Sequence, residues 1–164
     1  IKLRLEFEYL CKKGLLDIDE TLFNRLHQVL LEDVYAQVVK TTAHSRDVLE
    51  RLHDRYPMVL VSNFYGNVGV VLKEFGLDYL FNDIIESAAV GIRKPDPRIY
   101  KLGVERLNLR AEEVAVVGDS FYKDIEPAHK IGCHTIWFKG EGWTNQQYDE
   151  TLPNQIITDI AQLL

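Results

Sequence analysis

The chain has 164 residues, 46% hydrophobic and 27% charged, which is enough for one sizeable core and typical of a globular protein. Its 25 acidic residues outweigh 19 basic ones, and the net charge of −6 disfavours a nucleic-acid partner. No apolar run nears the roughly 18 residues that span a bilayer, and Cys11 and Cys133 have neither a close partner nor metal-ligand spacing, so a reducing, cytoplasmic setting is expected. The chain opens on Ile1 inside a patterned segment and its only methionine is Met58. Further residues upstream are therefore expected.

In residues 1–13 the alternation of Ile1, Leu3, Leu5, Phe7 and Tyr9 suits a strand, but Lys2–Glu6 and Arg4–Glu8 are i,i+4 ion pairs of a helix. Gly14 is a good helix C-cap and tips the reading to helix. Residues 15–56 hold neither Gly nor Pro. Leu22, Leu26, Val29, Leu30 and Val34 mark an amphipathic helix over about 18–39, with Asp17 as N-cap and Glu20 three residues on.

From about residue 44 the pattern changes. A helix at 46–55 precedes the apolar run Met58–Val61, which ends in Ser62-Asn63; a helix over 67–75 closes at Gly76. Ile84-Ile85 is a weaker strand, and Asp96-Pro97 starts a helix with Asp96 as N-cap. Val114–Val117 reads as a buried strand, Asp124–Ile131 as a short helix and His134–Phe138 as another strand; residues 155–164 add a short apolar stretch and a last helix. Alternating strands and helices predict an α/β fold with a doubly wound parallel sheet.

Three segments carry chemistry. Ser62-Asn63 and Gly118-Asp119-Ser120, the latter followed by Asp124, lie where apolar runs turn polar, and Lys94 stands in Lys94-Pro95-Asp96-Pro97. In a parallel sheet such ends form the ligand crevice. Two nearby carboxylates favour a divalent cation, magnesium first, although a polar turn with Asp124 capping a helix fits the same letters. Lys94 on a proline-stiffened loop can stabilise a transferring phosphoryl group, or be an ordinary surface lysine. Ser62 can bond a phosphoryl oxygen and Asn63 can position the loop or substrate, though Ser-Asn is also a common turn.

Together the segments resemble the haloacid dehalogenase superfamily. Val59–Asn63 resembles its second motif, Gly91–Tyr100 its third, and Gly118–Ile125 its fourth. The resemblance implies a Rossmannoid core over 44–164, a helical cap remnant over 1–43, and magnesium-dependent hydrolysis of a small phosphorylated metabolite through an aspartyl-phosphate. It implies metal binding by Asp119 with direct or indirect support from Asp124, contact of Ser62 with the phosphoryl group, and pairing of Lys94 with that group and the nucleophile; Asn63 joins Ser62 and Lys94 as a substrate-binding candidate. A fourth motif of this form is similar to that of phosphatases and phosphomutases rather than dehalogenases. A phosphomutase and a catalytically silent binding module remain the alternatives.

The first motif of that family, Asp-x-Asp-x-Thr, is matched by Asp17-Ile18-Asp19-Glu20-Thr21. The nucleophile should follow a buried strand, however, and Cys11–Leu16 offers two lysines, a glycine and only Leu15-Leu16. The capping-box spacing gives both aspartates a structural alternative. The first-motif strand is thus expected outside the chain, with no direct pairing of 58–62 to 114–118. The five histidines show no ligand spacing; Trp137 is expected to pack at a strand end, and Trp143 to anchor a loop or line the crevice.

Overall fold

The computed structural model describes residues 2–140 and 147–164; Trp143 lies outside them. The chain divides into two compact units that meet at His44–Ser45. In the first, helix α1 (Lys2–Lys12) ends where Gly14 adopts φ +66° and its N–H returns to the Cys11 carbonyl at 3.0 Å. Helix α2 (Glu20–His53) follows. Its N-cap is Asp19, not Asp17: Asp19 Oδ1 accepts the Leu22 N–H at 2.7 Å and its carbonyl accepts the Phe23 N–H at 2.9 Å. This register puts Ile18 and Phe23 at staple positions, and the buried Phe23 meets Phe7 edge-on at 5.7 Å.

The two helices expected at 18–39 and 46–55 are one. Nothing between them breaks a helix, and the Thr42 hydroxyl bonds back to the Val38 carbonyl at 2.7 Å. The last turns of α2 belong to the second unit, where β1 (Val59–Ser62) and α3 (Val68–Glu74) follow, Gly76 closing α3 at φ +62°. Next come β2 (Asp83–Glu86), the single turn α4 (Ser87–Val90) and α5 (Arg98–Leu107). Helix α5 starts one residue later than expected, yet Asp96 still caps it, accepting the Arg98 N–H at 2.9 Å.

Strand β3 (Ala115–Gly118) leads into a five-residue π-helix, Phe121–Ile125, and then α6 (Glu126–Lys130). The helix expected to begin at Asp124 is therefore wider and earlier: Ser120 Oγ accepts the Lys123 N–H at 3.3 Å and starts the turn. Strands β4 (His134–Phe138) and β5 (Gln155–Ile157) complete the unit, and the expected last helix is a 3₁₀ turn, Ile160–Leu163.

All strand pairs are parallel, in two sheets of order β1-β2 and β3-β4-β5. Among the described residues β1 and β3 do not pair, and each carries a ladder on one edge only. Strand β3 is accordingly not buried as its apolar letters suggested; Val117 is 43% exposed. What joins the sheets is α5. Its Ile99 and Tyr100 enter the same core as Ile85, Val114 and Ala128, and Gly103 lets it approach β1: a Cβ there would lie 3.4 Å from Val61. The residues that follow β1 and β3 meet at the loop before α5, where Asn63 and Asp124 both bond to Lys94.

Candidate active site

The candidate site forms where β1 and β3 end. Asn63, one residue past β1, clasps the backbone of Lys94: its Oδ1 accepts the Lys94 N–H at 2.9 Å and its Nδ2 donates to the Lys94 carbonyl at 3.1 Å. An amide side chain can satisfy both groups of one residue in this way because it offers donor and acceptor together. Asn63 thus ties the Lys94 loop to the end of β1.

Lys94 in turn reaches the β3 side. Its Nζ lies 2.8 Å from Asp124 Oδ1, with only 16% and 4% of the two side chains exposed. Asp124 is held further by the Tyr100 hydroxyl, which donates to Oδ1 at 2.6 Å, and by the Ser120 N–H, which donates to Oδ2 at 2.9 Å. Three donors around a buried carboxylate are the condition under which burying its charge is tolerable. Burial pushes the Tyr100 phenol well above its usual range, and the Asp124 charge, the bond to it and the Asp119 charge add to the effect. Tyr100 therefore stays a donor.

Gly118 makes the arrangement possible. A Cβ there would lie 2.3 Å from Asp124 Cβ, so only glycine lets the π-turn fold Asp124 back over the strand end. Asp119 differs from Asp124 in every respect. It is exposed, its carboxylate has no hydrogen bond or ion pair among the described residues, and its backbone carbonyl accepts the Trp137 Nε1–H at 3.0 Å. Trp137 is buried against Phe121 and the half-buried Tyr148, the packing role expected for it.

Ser62 ends β1 half-buried, its hydroxyl without a hydrogen bond among the described residues. Asp17 is exposed in the link between α1 and α2, and Asp19 caps α2. Neither follows a strand.

One fixed ammonium with two uncommitted N–H groups, the Ser62 hydroxyl at the end of β1 and the Asp119 carboxylate just past β3 are available at the strand ends. The first two suit phosphoryl oxygens. Asp119 suits magnesium, which keeps several waters and takes one or two carboxylates together with substrate phosphate. Among the described residues no group of three His, Cys, Asp or Glu side chains gathers as a cluster. Two residues within the motif segments have roles that their letters do not announce. Tyr100 stands in the first turn of α5, at the end of the Gly91–Tyr100 segment, but its bond to Asp124 crosses to another element. Gly118 precedes the acidic turn, and close approach is a standard reason for such a glycine.

Comparison with known proteins shows the family. Residues 13–132 match the family described as haloacid dehalogenase-like hydrolase. The glyceraldehyde 3-phosphate phosphatase of Pyrococcus furiosus is 36% identical over 90 residues, 54% of this chain and 37% of that protein. A 5-amino-6-(5-phospho-D-ribitylamino)uracil phosphatase of Escherichia coli is 31% identical over 121 residues, 73% of this chain and 49% of that protein. The chain thus spans half or less of the length of these two curated relatives. Among solved structures, a phosphatase from Thermococcus onnurineus superposes with TM-score 0.65 at 24% identity, covering 88% of this chain and 68% of that one. A putative hydrolase from Bacillus subtilis, solved bound to magnesium, gives 0.64 at 18% identity, covering 99% and 78%.

Proposed function

Because this chain belongs to the haloacid dehalogenase-like hydrolases, we propose that the protein carrying it hydrolyses a small phosphomonoester with magnesium, through an aspartyl-phosphate. The observation that carries the reading is the buried Lys94–Asp124 pair tied to Asn63, which draws the three candidate segments to one place. The phosphatase relatives support the same reaction class.

Lys94, oriented by Asp124 and Tyr100, offers its remaining N–H groups to the phosphoryl oxygens and stabilises charge that builds up in the transition state. Ser62 donates its hydroxyl to the same group. Asn63 sets the loop that presents Lys94. Asp119 would hold magnesium, which when bound neutralises phosphoryl charge; Asp124 supports the site through Lys94. We assign the attacking aspartate to a segment other than Asp17–Thr21, because Asp17 and Asp19 stand at a helix start. Residues 1–43 act as part of a cap in this reading, and 44–164 as the core.

The test uses the protein as its gene encodes it. Millimolar magnesium should raise its thermal midpoint and support phosphate release from aryl and alkyl phosphates, and Asp119→Ala should lose both effects. An equal magnesium shift in the variant would sink the metal assignment. Transfer of the phosphoryl group to a sugar without phosphate release would mark a mutase instead, and no turnover at all a silent module.

A further inference from the structure

Beyond the strand end, residues 64–67 are held by a device that the phosphoryl chemistry does not require. Glu86, the last residue of β2, is only 8% exposed, and its Oε1 accepts the backbone N–H groups of Gly66 and, at 3.1 Å, of Asn67. Its neighbour Ser87, 6% exposed, donates from Oγ to the Phe64 carbonyl at 3.2 Å. No cation pairs with Glu86 among the described residues. A buried carboxylate partnered only by backbone amides is a costly way to order a loop.

The loop does not need that clamp to place Ser62 or Asn63. Ser62 is fixed by the β1–β2 ladder, and Asn63 by its paired bonds to Lys94. Phe64 packs into the core beside Val68 and Leu72. What the clamp fixes in addition is Tyr65, which precedes Gly66 at φ +95° and is 81% exposed. It stands three residues past Ser62, no more than about 11 Å along the chain. A backbone held this firmly keeps the ring available at low ordering cost, the property that makes tyrosine useful in recognition.

We propose that Tyr65 is a specificity-determining residue whose ring contacts the organic part of the phosphomonoester, and that Glu86 is the positioning residue that holds it there. The inference rests on the phosphatase reading. It favours esters with a flat or apolar group next to the phosphate, which a phenol ring can stack against.

The experiment compares kcat/KM for phenyl phosphate and methyl phosphate in the gene-encoded protein. Tyr65→Ala should lower the value for phenyl phosphate about tenfold more than that for methyl phosphate, mainly through KM. Glu86→Leu should reproduce the lost discrimination, and Glu86→Gln, which keeps an acceptor oxygen for both amides, should retain it. Turnover with a ratio changed less than twofold in Tyr65→Ala would overturn the inference and leave the phosphatase reading standing. No hydrolysis of either ester by the unaltered protein would overturn both. Should Glu86→Leu fail to fold, the exposed Tyr65 still decides the question.

Discussion

The two sides of the candidate site are anchored in opposite ways. On the β3 side the anchor is a charge: Asp124, 4% exposed in its side chain, tied to Lys94, Tyr100 and the Ser120 amide. On the β1 side the tie to Lys94 is neutral, the Asn63 amide on the Lys94 backbone, and the one buried charge, Glu86, meets backbone amides rather than a countercharge. A neutral bond that breaks leaves a polar group which water can often satisfy. A buried ion pair that breaks leaves a charge with nowhere to go. The β3 side should therefore be the less forgiving one.

Lys94 tests that contrast most severely. Read from sequence, it is a charge on a proline-stiffened loop or an ordinary surface lysine; the structure makes it the partner of a buried carboxylate. Lys94→Met should cost about 3 kcal/mol in urea unfolding, at the low end for a broken buried pair because Tyr100 and Ser120 still donate to Asp124. Adding Asp124→Asn should restore part of the loss. A cost below 1 kcal/mol would show that the charge is not what holds this side together.

Tyr100→Phe removes one hydrogen bond to the same carboxylate and should cost about 2 kcal/mol near neutral pH. The pH dependence sharpens the assignment. In the fold the phenol is raised above its unfolded value of 10.0, so its contribution is complete below that pH. It is lost as pH rises beyond about 10, because only the unfolded chain then gives up the proton. The stability curves of the parent and Tyr100→Phe should thus converge above pH 10. Parallel curves would mean that the phenol is not buried against Asp124.

Asn63→Ala should have the smallest effect, about 1 kcal/mol, since both lost bonds are neutral and the Lys94 backbone can reach water. A loss matching that of Lys94→Met would erase the distinction between the two sides.

Legibility from sequence follows the same division between local and distant causes. Gly14, Gly76 and Asp96 mark helix ends through local backbone rules, and the structure uses all three as such. The three motif segments were readable because each sits beside a strand or a proline-fixed loop. The position of the N-cap at Asp19 was not, since two aspartates compete and the burial of Phe23 decides between them. Val117 reads as core by its letter, yet exposure depends on which strands flank it. The bond from Tyr100 to Asp124 spans two elements 24 residues apart, and no periodicity announces it.

Helix α5 carries one more consequence. It touches β1 through Gly103 and the β3 side through Tyr100, one helical turn apart, so a single rigid turn of this ten-residue helix gauges the gap between the two strand ends. Thermal motion cannot widen that gap gradually while the turn stays whole. The site should vanish from the ensemble in one step, with the amides of α5 and the Lys94 loop becoming open to hydrogen exchange together, as a single cooperative unit.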